Sequence, residues 1–240
     1  PTPYGIAMTQ IDVLTKTTFF QSLPPQDLQE MAQYCHQTKH AKNSHIFAMS
    51  DTAECFFIII EGWVKLYRMS REGLETVVHV FGPGESFAEA AVFNDRRAYP
   101  VDAQAVEDTI LLEIPRSLLA RKIEQDSGFA FKMLGAIASR QHYLIQQLEQ
   151  VTTRTAPQRV GAFLLRFCQK EKDRNNKWIV KLPYDRSLIS TRLNIKPETF
   201  SRALSKLKPY GVEIDQRNIT ISDPFALADF CDIRMIDLQC

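Results

Sequence analysis

What this chain lacks narrows its class before any motif is read. No apolar run approaches the roughly 18 residues that a membrane-spanning helix requires. The opening residues, PTPYGIAMTQ, hold no basic segment followed by an apolar core, so secretion is not expected and the cytoplasm is the expected compartment. The five cysteines, Cys35, Cys55, Cys168, Cys231 and Cys240, include no C-x-x-C pair. Their odd number and scattered spacing argue for reduced thiols and against a disulfide framework or a zinc finger. There is no G-x-S-x-G, P-loop or H-E-x-x-H motif and no convincing nucleophile–base pair, so an enzyme is not expected. Charge of one sign is missing too. With 29 Lys and Arg against 28 Asp and Glu, the formal net charge is +1, and any basic surface must be local.

What is there points first to one stretch, Lys181 to Gly211, KLPYDRSLISTRLNIKPETFSRALSKLKPYG. Leu188, Ile189 and Leu193, then Ile195, Phe200, Ala203, Leu204 and Leu207, recur at helical spacing, which predicts two short helices burying one face against each other. Pro197 marks the start of the second, because its fixed φ fits the first helical position and its missing N–H costs nothing there. Lys196, at the N-cap, is a poor capping residue, so this boundary is less sharply written than the helix itself. The outer faces are basic: Arg186, Arg192, Lys196, Arg202, Lys206 and Lys208 stand against only Asp185 and Glu198. Such a local excess suits a polyphosphate partner.

The pattern predicts a helix-turn-helix whose second helix enters the major groove of double-stranded DNA. Glu198, Ser201 and Arg202 share a face by their three- and four-residue spacing. A carboxylate accepts from cytosine N4, a hydroxyl reads several edges, and a guanidinium takes guanine O6 and N7 together. Lys196, Thr199 and Arg192 complete the expected DNA-contacting set. The competing reading is a basic solvated face on an ordinary helical hairpin.

At 240 residues the length suits one large or two ordinary domains. Helical periodicity runs from Ile11 to Cys35, with Leu23-Pro24-Pro25 opening a second helix. Between His36 and Ile114 the period becomes strand-like. Short apolar runs at His45 to Ala48, Cys55 to Ile60, Trp63 to Tyr67, Thr76 to Phe81, Val101 to Val106 and Thr109 to Ile114 are separated by glycine turns, which predicts a sandwich or small barrel.

From Pro115 to Thr153 the spacing predicts one long helix. Ala130, Leu134, Ile137, Gln141, Leu144, Leu148 and Val151 form a heptad seam, read as a dimer interface, with a helix packed on its own β-roll as the competing reading. A helix over Gln158 to Glu171 and an edge strand over Trp178 to Leu182 are expected next. Val212 to Ile214 and Asn218 to Ile221 should pair as a wing, and residues 222 to 240 should form a terminal helix. The expected domains are residues 1–114, a sensing β-roll with N-terminal helices; residues 115–153, the dimerisation helix; and residues 154–240, a winged helix-turn-helix.

This order resembles that of the cyclic-AMP receptor protein/FNR (CRP/FNR) superfamily of bacterial transcription regulators. The motifs that carry the resemblance are Glu61-Gly62-Trp63-Val64-Lys65-Leu66-Tyr67, Gly84-Glu85-Ser86-Phe87-Ala88-Glu89-Ala90 and Glu198-Thr199-Phe200-Ser201-Arg202. The resemblance implies an α+β fold with an N-terminal cyclic-nucleotide-binding-like jelly roll. It also implies a homodimer reading a two-fold TTGAT-type palindrome and RNA polymerase as a partner. The second motif resembles the family's strand-turn at the effector pocket, whose expected residues here are Ala88, Glu89, Arg97 and Ala98.

Alanine at 88 and 98, where cyclic-nucleotide-binding members carry glycine and serine, weakens the expected grip on a phosphate. The oxygen-sensing branch is disfavoured, because no cysteine cluster precedes Cys35. The closest motif resemblance is to the nitric-oxide-responsive, DNR-type branch, which implies haem, with cyclic AMP or an unidentified small molecule as the alternative effector. His36, His40, His45, His79 and His142 are the available imidazoles. Their spacing singles out none, so no metal site is assigned.

Overall fold

Two helices precede the first strand in the computed structural model, which describes residues 9–17, 20, 23–135, 137–138, 141, 154–170, 178–183 and 185–233. Helix α1 (Gln10–Lys16) begins with a reciprocal cap. The Asp12 amide donates to the Thr9 hydroxyl at 3.3 Å, and the Thr9 amide donates to the Asp12 carboxylate at 3.0 Å, so two orphan donors are satisfied together. Helix α2 (Pro25–Ala32) starts on proline and buries Leu28, Met31 and Ala32. The chain forms two compact units, residues 1–145 and 146–240.

Among the described residues of the first unit eight strands follow: β1 (His36–His40), β2 (His45–Phe47), β3 (Cys55–Glu61), β4 (Val64–Met69), β5 (Glu75–Phe81), β6 (Ser86–Phe87), β7 (Asp102–Ala105) and β8 (Thr109–Pro115). They pair into two antiparallel sheets, β1-β8-β3-β6 and β2-β7-β4-β5. Strand β3 is buried over Phe56, Phe57, Ile58 and Ile59, which explains its continuous apolar run. At the β3–β4 turn Gly62 holds φ +87°, and a Cβ there would lie 2.4 Å from Thr109 Oγ1. Glycine is therefore required on two counts, backbone conformation and close approach.

Two strands carry no sequence signal. β1, HQTKH, is an edge strand with no buried residue, so no apolar alternation marks it, and β6 is two residues long. The expected strand-turn at Gly84 to Ala90 continues into helix α3 (Glu89–Phe93), reached through Ala88 at φ 68°.

The long helix expected from Pro115 is interrupted. Helix α4 (Arg116–Gln125) stops at Asp126, whose φ of −139° and ψ of 103° are extended. The Asp126 side chain accepts from the Gly128 amide at 2.8 Å, acting as an N-cap for α5, helical over residues 127–135. An Asp-Ser-Gly sequence is a sound local stop and start, overridden in the sequence reading by an apolar period that continues across it. In α5, Phe129 and Met133 are buried in the β-roll core, whereas Phe131 and Leu134 are 75 % and 60 % exposed, and Ile137, past residue 135, is 43 % exposed. Gln141 is exposed; Leu144, Leu148, Val151 and His142 lie outside the described residues.

In the second unit α6 (Ala156–Phe167) opens with a Thr155–Gln158 capping box and ends before Cys168, short of the expected Glu171. The strands β9 (Gln169–Lys170), β10 (Trp178–Lys181), β11 (Val212–Asp215) and β12 (Asn218–Ile221) form a sheet in the order β11-β12-β10-β9. Thus β10, expected at an edge, is flanked on both sides. Helix α7 (Arg186–Arg192), helix α8 (Pro197–Lys206), a 3-10 turn (Lys208–Tyr210) and helix α9 (Pro224–Phe230) complete the unit. Asp223 caps α9 as its sequence suggested, but the helix ends at Phe230; residues 234–240 of the expected terminal helix lie outside the described residues.

Candidate nucleic-acid interface

Helix α7 starts where the Asp185 carboxylate accepts from the Ser187 amide at 2.8 Å. Its end is built from the main chain. Asn194, at φ 50°, turns into the left-handed region, its amide donates to Thr191 O at 3.0 Å, and the Ile195 amide donates to Ser190 O at 3.0 Å. Paired bonds of this kind close a helix and turn the chain sharply. Pro197 then opens α8, three residues after the turn.

Helix α8 buries Phe200, Ala203 and Leu204 at 1–2 % exposure, with Leu207 beneath them. That stripe fixes the rotation of the helix, so Glu198, Ser201 and Arg202 are turned outward together and all three are exposed. Among the described residues, Ser201 Oγ donates to Pro197 O at 3.2 Å and Arg202 Nε to Glu198 O at 3.4 Å, both carbonyls of the helix itself. Such bonds are readily exchanged for bonds to a base edge. Lys196 is exposed beside the helix N-terminus, where partial positive charge favours phosphate. Thr199 is half-buried at the side of this face. Ser205, one turn beyond Ser201 and also exposed, belongs to the same face; its spacing of three from Arg202 and four from Ser201 was the signal that could have found it.

Arg192 is placed differently from the rest of the expected set. Its guanidinium lies over the rings of Phe167 and Phe163 of α6, 4.9 and 5.7 Å from their centroids. The wing is tied to the helices as well. Arg186 donates to Gln216 O in the β11–β12 turn, and Arg217 Nε donates to Leu182 O at 3.2 Å. Gly211, at φ 79°, ends the 3-10 turn and leads into β11.

In the β-roll, the Glu89 carboxylate accepts a short hydrogen bond from Ser86 Oγ. Ala88 adopts the left-handed backbone that glycine takes at less cost. Arg97 is exposed, with φ 46°; its amide donates to Asn94 O at 3.1 Å and its carbonyl accepts from the Ala53 amide at 2.8 Å. Half-buried Ala98 bridges to Thr52. Immediately after it Tyr99 stacks on Phe47 with centroids 3.7 Å apart and donates to Cys55 O at 2.6 Å. Burial pushes the Tyr99 hydroxyl up to about 12. The described histidines are dispersed over β1, β2 and β5: His45 Nδ1 lies 3.2 Å from the Tyr67 hydroxyl, and His79 packs edge-on to Phe81. Among the described residues no group of three or more His, Cys, Asp or Glu could hold a metal ion.

Residues 37–126 match the family model for a cyclic nucleotide-binding domain, and residues 158–230 match that for a Crp-like helix-turn-helix domain. A crystal structure from Ruegeria pomeroyi DSS-3, provisionally described as a cyclic nucleotide binding protein, is 33 % identical, covers 94 % of this chain and 98 % of its own, and superposes with a TM-score of 0.79. This chain belongs to the CRP/FNR superfamily of transcription regulators. Within that superfamily the nitrogen fixation regulation protein FixK of Rhizobium meliloti is 28 % identical over 78 % of this chain and 83 % of its own length. The crystal structure of DNR from Pseudomonas aeruginosa is 29 % identical over 95 % of this chain and all of its own, with a TM-score of 0.57. Both values lie below those of the Ruegeria structure, so the expected closeness to the nitric-oxide-responsive branch is not singled out. The family architecture is that of a DNA-binding regulator with a cyclic-nucleotide-binding-like sensor and a helix-turn-helix, not of a catalyst.

Proposed function

We propose that this regulator acts as a homodimer on a two-fold palindrome with TTGAT-like half-sites, under the control of a small molecule taken up by the β-roll. The observation that carries the DNA reading is the rotation of α8, whose buried stripe leaves Glu198, Ser201 and Arg202 together on the exposed side. The dimer reading is supported by Phe131 and Leu134, apolar and exposed on α5 away from the residues that pack on the β-roll, and by Ile137, exposed beyond them. RNA polymerase is the partner that a regulator of this architecture would contact.

For the effector, the match of residues 37–126 to a cyclic nucleotide-binding domain supports a nucleotide-like small molecule over haem. Glu89 and Arg97 are the groups of the expected pocket able to meet a ribose hydroxyl and a phosphate. The left-handed Ala88 and the Ser86 bond to Glu89 favour a ligand that makes different demands on this pocket from cyclic AMP. A cyclic AMP and cyclic GMP titration followed by calorimetry, beside a haem titration followed by the Soret band, separates these readings. Binding of a cyclic nucleotide that is lost in Arg97→Ala supports the first; a Soret shift with no nucleotide binding would overturn it.

The DNA reading is tested by anisotropy on a palindrome of TTGAT half-sites. Arg202→Ala should cost about 1–3 kcal/mol on that site and relax preference at one base pair per half-site. Uniform weakening on every duplex would instead make Arg202 a phosphate contact.

A further inference from the structure

The carbonyl of Leu193 ends α7, and the main-chain bonds of the turn do not serve it, since they go to Ile189, Ser190 and Thr191. It accepts instead from Arg159 Nη1 of α6 at 3.1 Å. The Nε of the same guanidinium is buried with no partner among the described residues, so the group is aimed at the turn at the expense of one of its own donors. One residue earlier in α7, Arg192 lies flat over Phe163 and Phe167 of the same helix α6. Two guanidinium groups therefore pin the α7–α8 turn to α6, one through a carbonyl and one through a pair of rings.

We infer that Arg159 and Arg192 are positioning residues for sequence recognition, holding the turn that aims α8 without themselves contacting the duplex. The inference rests on the DNA reading of α8. A bidentate base contact tolerates displacements of about 0.5 Å and about 10–20°, and the segment Asn194–Lys196 is all that joins α8 to the end of α7. Freeing that turn shifts Glu198, Ser201 and Arg202 as a set, so the loss falls on sequence preference. Arg192 is a basic residue of a helix-turn-helix, which by charge alone would be read as a phosphate contact. Its guanidinium is committed to apolar rings, and planar stacking is what distinguishes arginine from lysine.

The experiment compares wild type, Arg159→Ala, Arg192→Ala and Arg192→Lys on the duplex that the wild-type chain selects from a randomised pool and on a scrambled duplex. Affinities are measured by anisotropy between about 50 and 200 mM salt, with active fractions set by stoichiometric titration. The expected result is a preference for the selected duplex lowered about five- to a hundredfold, the span of one lost base contact, with an unchanged salt dependence. Arg192→Lys should behave as Arg192→Ala does, because it keeps the charge and loses the stack.

Three results would overturn the inference. One is a salt slope shallower by about 0.9 for each lost contact with the preference intact, which marks a phosphate ligand. Another is full recovery in Arg192→Lys. The third is a lowered active fraction with slope and preference both unchanged, which marks a purely structural role. Failure of the wild type to select any duplex would refute the DNA reading itself and take this inference with it.

Discussion

At the residue scale the chain's titratable groups divide into those kept out of chemistry and those exposed to it. Burial pushes the thiols of Cys35 and Cys231 up to about 12 and that of Cys55 up to about 11, so none carries appreciable thiolate at neutral pH. His40 moves the other way. Burial lowers it from 6.5, with Glu113 opposing in part. The unfolded chain therefore takes up this proton more readily than the folded one, and stability rises with pH where the two differ. The contribution of neutral His40 is complete above 6.5 and is lost as pH falls below it. Urea midpoints measured between about pH 7.5 and about pH 5.5 should fall less steeply for His40→Gln than for the wild type; parallel slopes would show that other groups carry the acid limb.

At the scale of elements, one carboxylate joins three helices. Asp27 of α2 lies 3.2 Å from Lys122 Nζ of α4 and 3.7 Å from Lys132 Nζ of α5, and Glu30 shares Lys122. The Lys122 side chain is only 9 % exposed. Burial alone would lower its pKa, but the hydrogen bonds to Glu30 and Asp27 outweigh that and raise it. The cluster fixes the angle at the Asp126 break by gripping both sides of it. Lys122→Met should destabilise the first unit by about 1–3 kcal/mol, and a double-mutant cycle with Asp27→Asn should give a coupling of at least about 0.5 kcal/mol. Additive losses in urea melts would disprove the link. Helix α8 was legible from sequence because its buried stripe, its proline start and its basic face agree. The α4–α5 break was not, since the residues that stabilise it are 95 positions apart from α2 to α4.

At the scale of the whole molecule, the proposed dimer turns on α5. Phe131 and Leu134 are exposed on the side away from the buried Phe129, and Ile137, one turn beyond Met133, is exposed past the end of that packed face. An apolar stripe left exposed beside a packed one is the surface a second copy would cover. The double variant Leu134→Asp, Ile137→Asp should weaken self-association by at least about 3 kcal/mol, from two lost aliphatic burials. Sedimentation should then show monomer, with DNA affinity reduced in step. A dimer of undiminished strength would place the interface elsewhere.

The amino-acid order alone determined which faces are apolar and at what period, where proline and glycine permit a start or a turn, and how basic residues gather near α8. Those are local properties, so the sheet-rich unit, the helix-turn-helix and the wing could be written from it. Tertiary structure alone decided what each polar group does. Arg192 and Arg202 are both arginines of the same motif, yet one lies on rings of α6 and the other faces outward. β1 is a strand only because β8 supplies its hydrogen bonds, and Asp126 ends a helix whose apolar period continues past it. Partners contributed by distant parts of the chain leave no trace in local spacing.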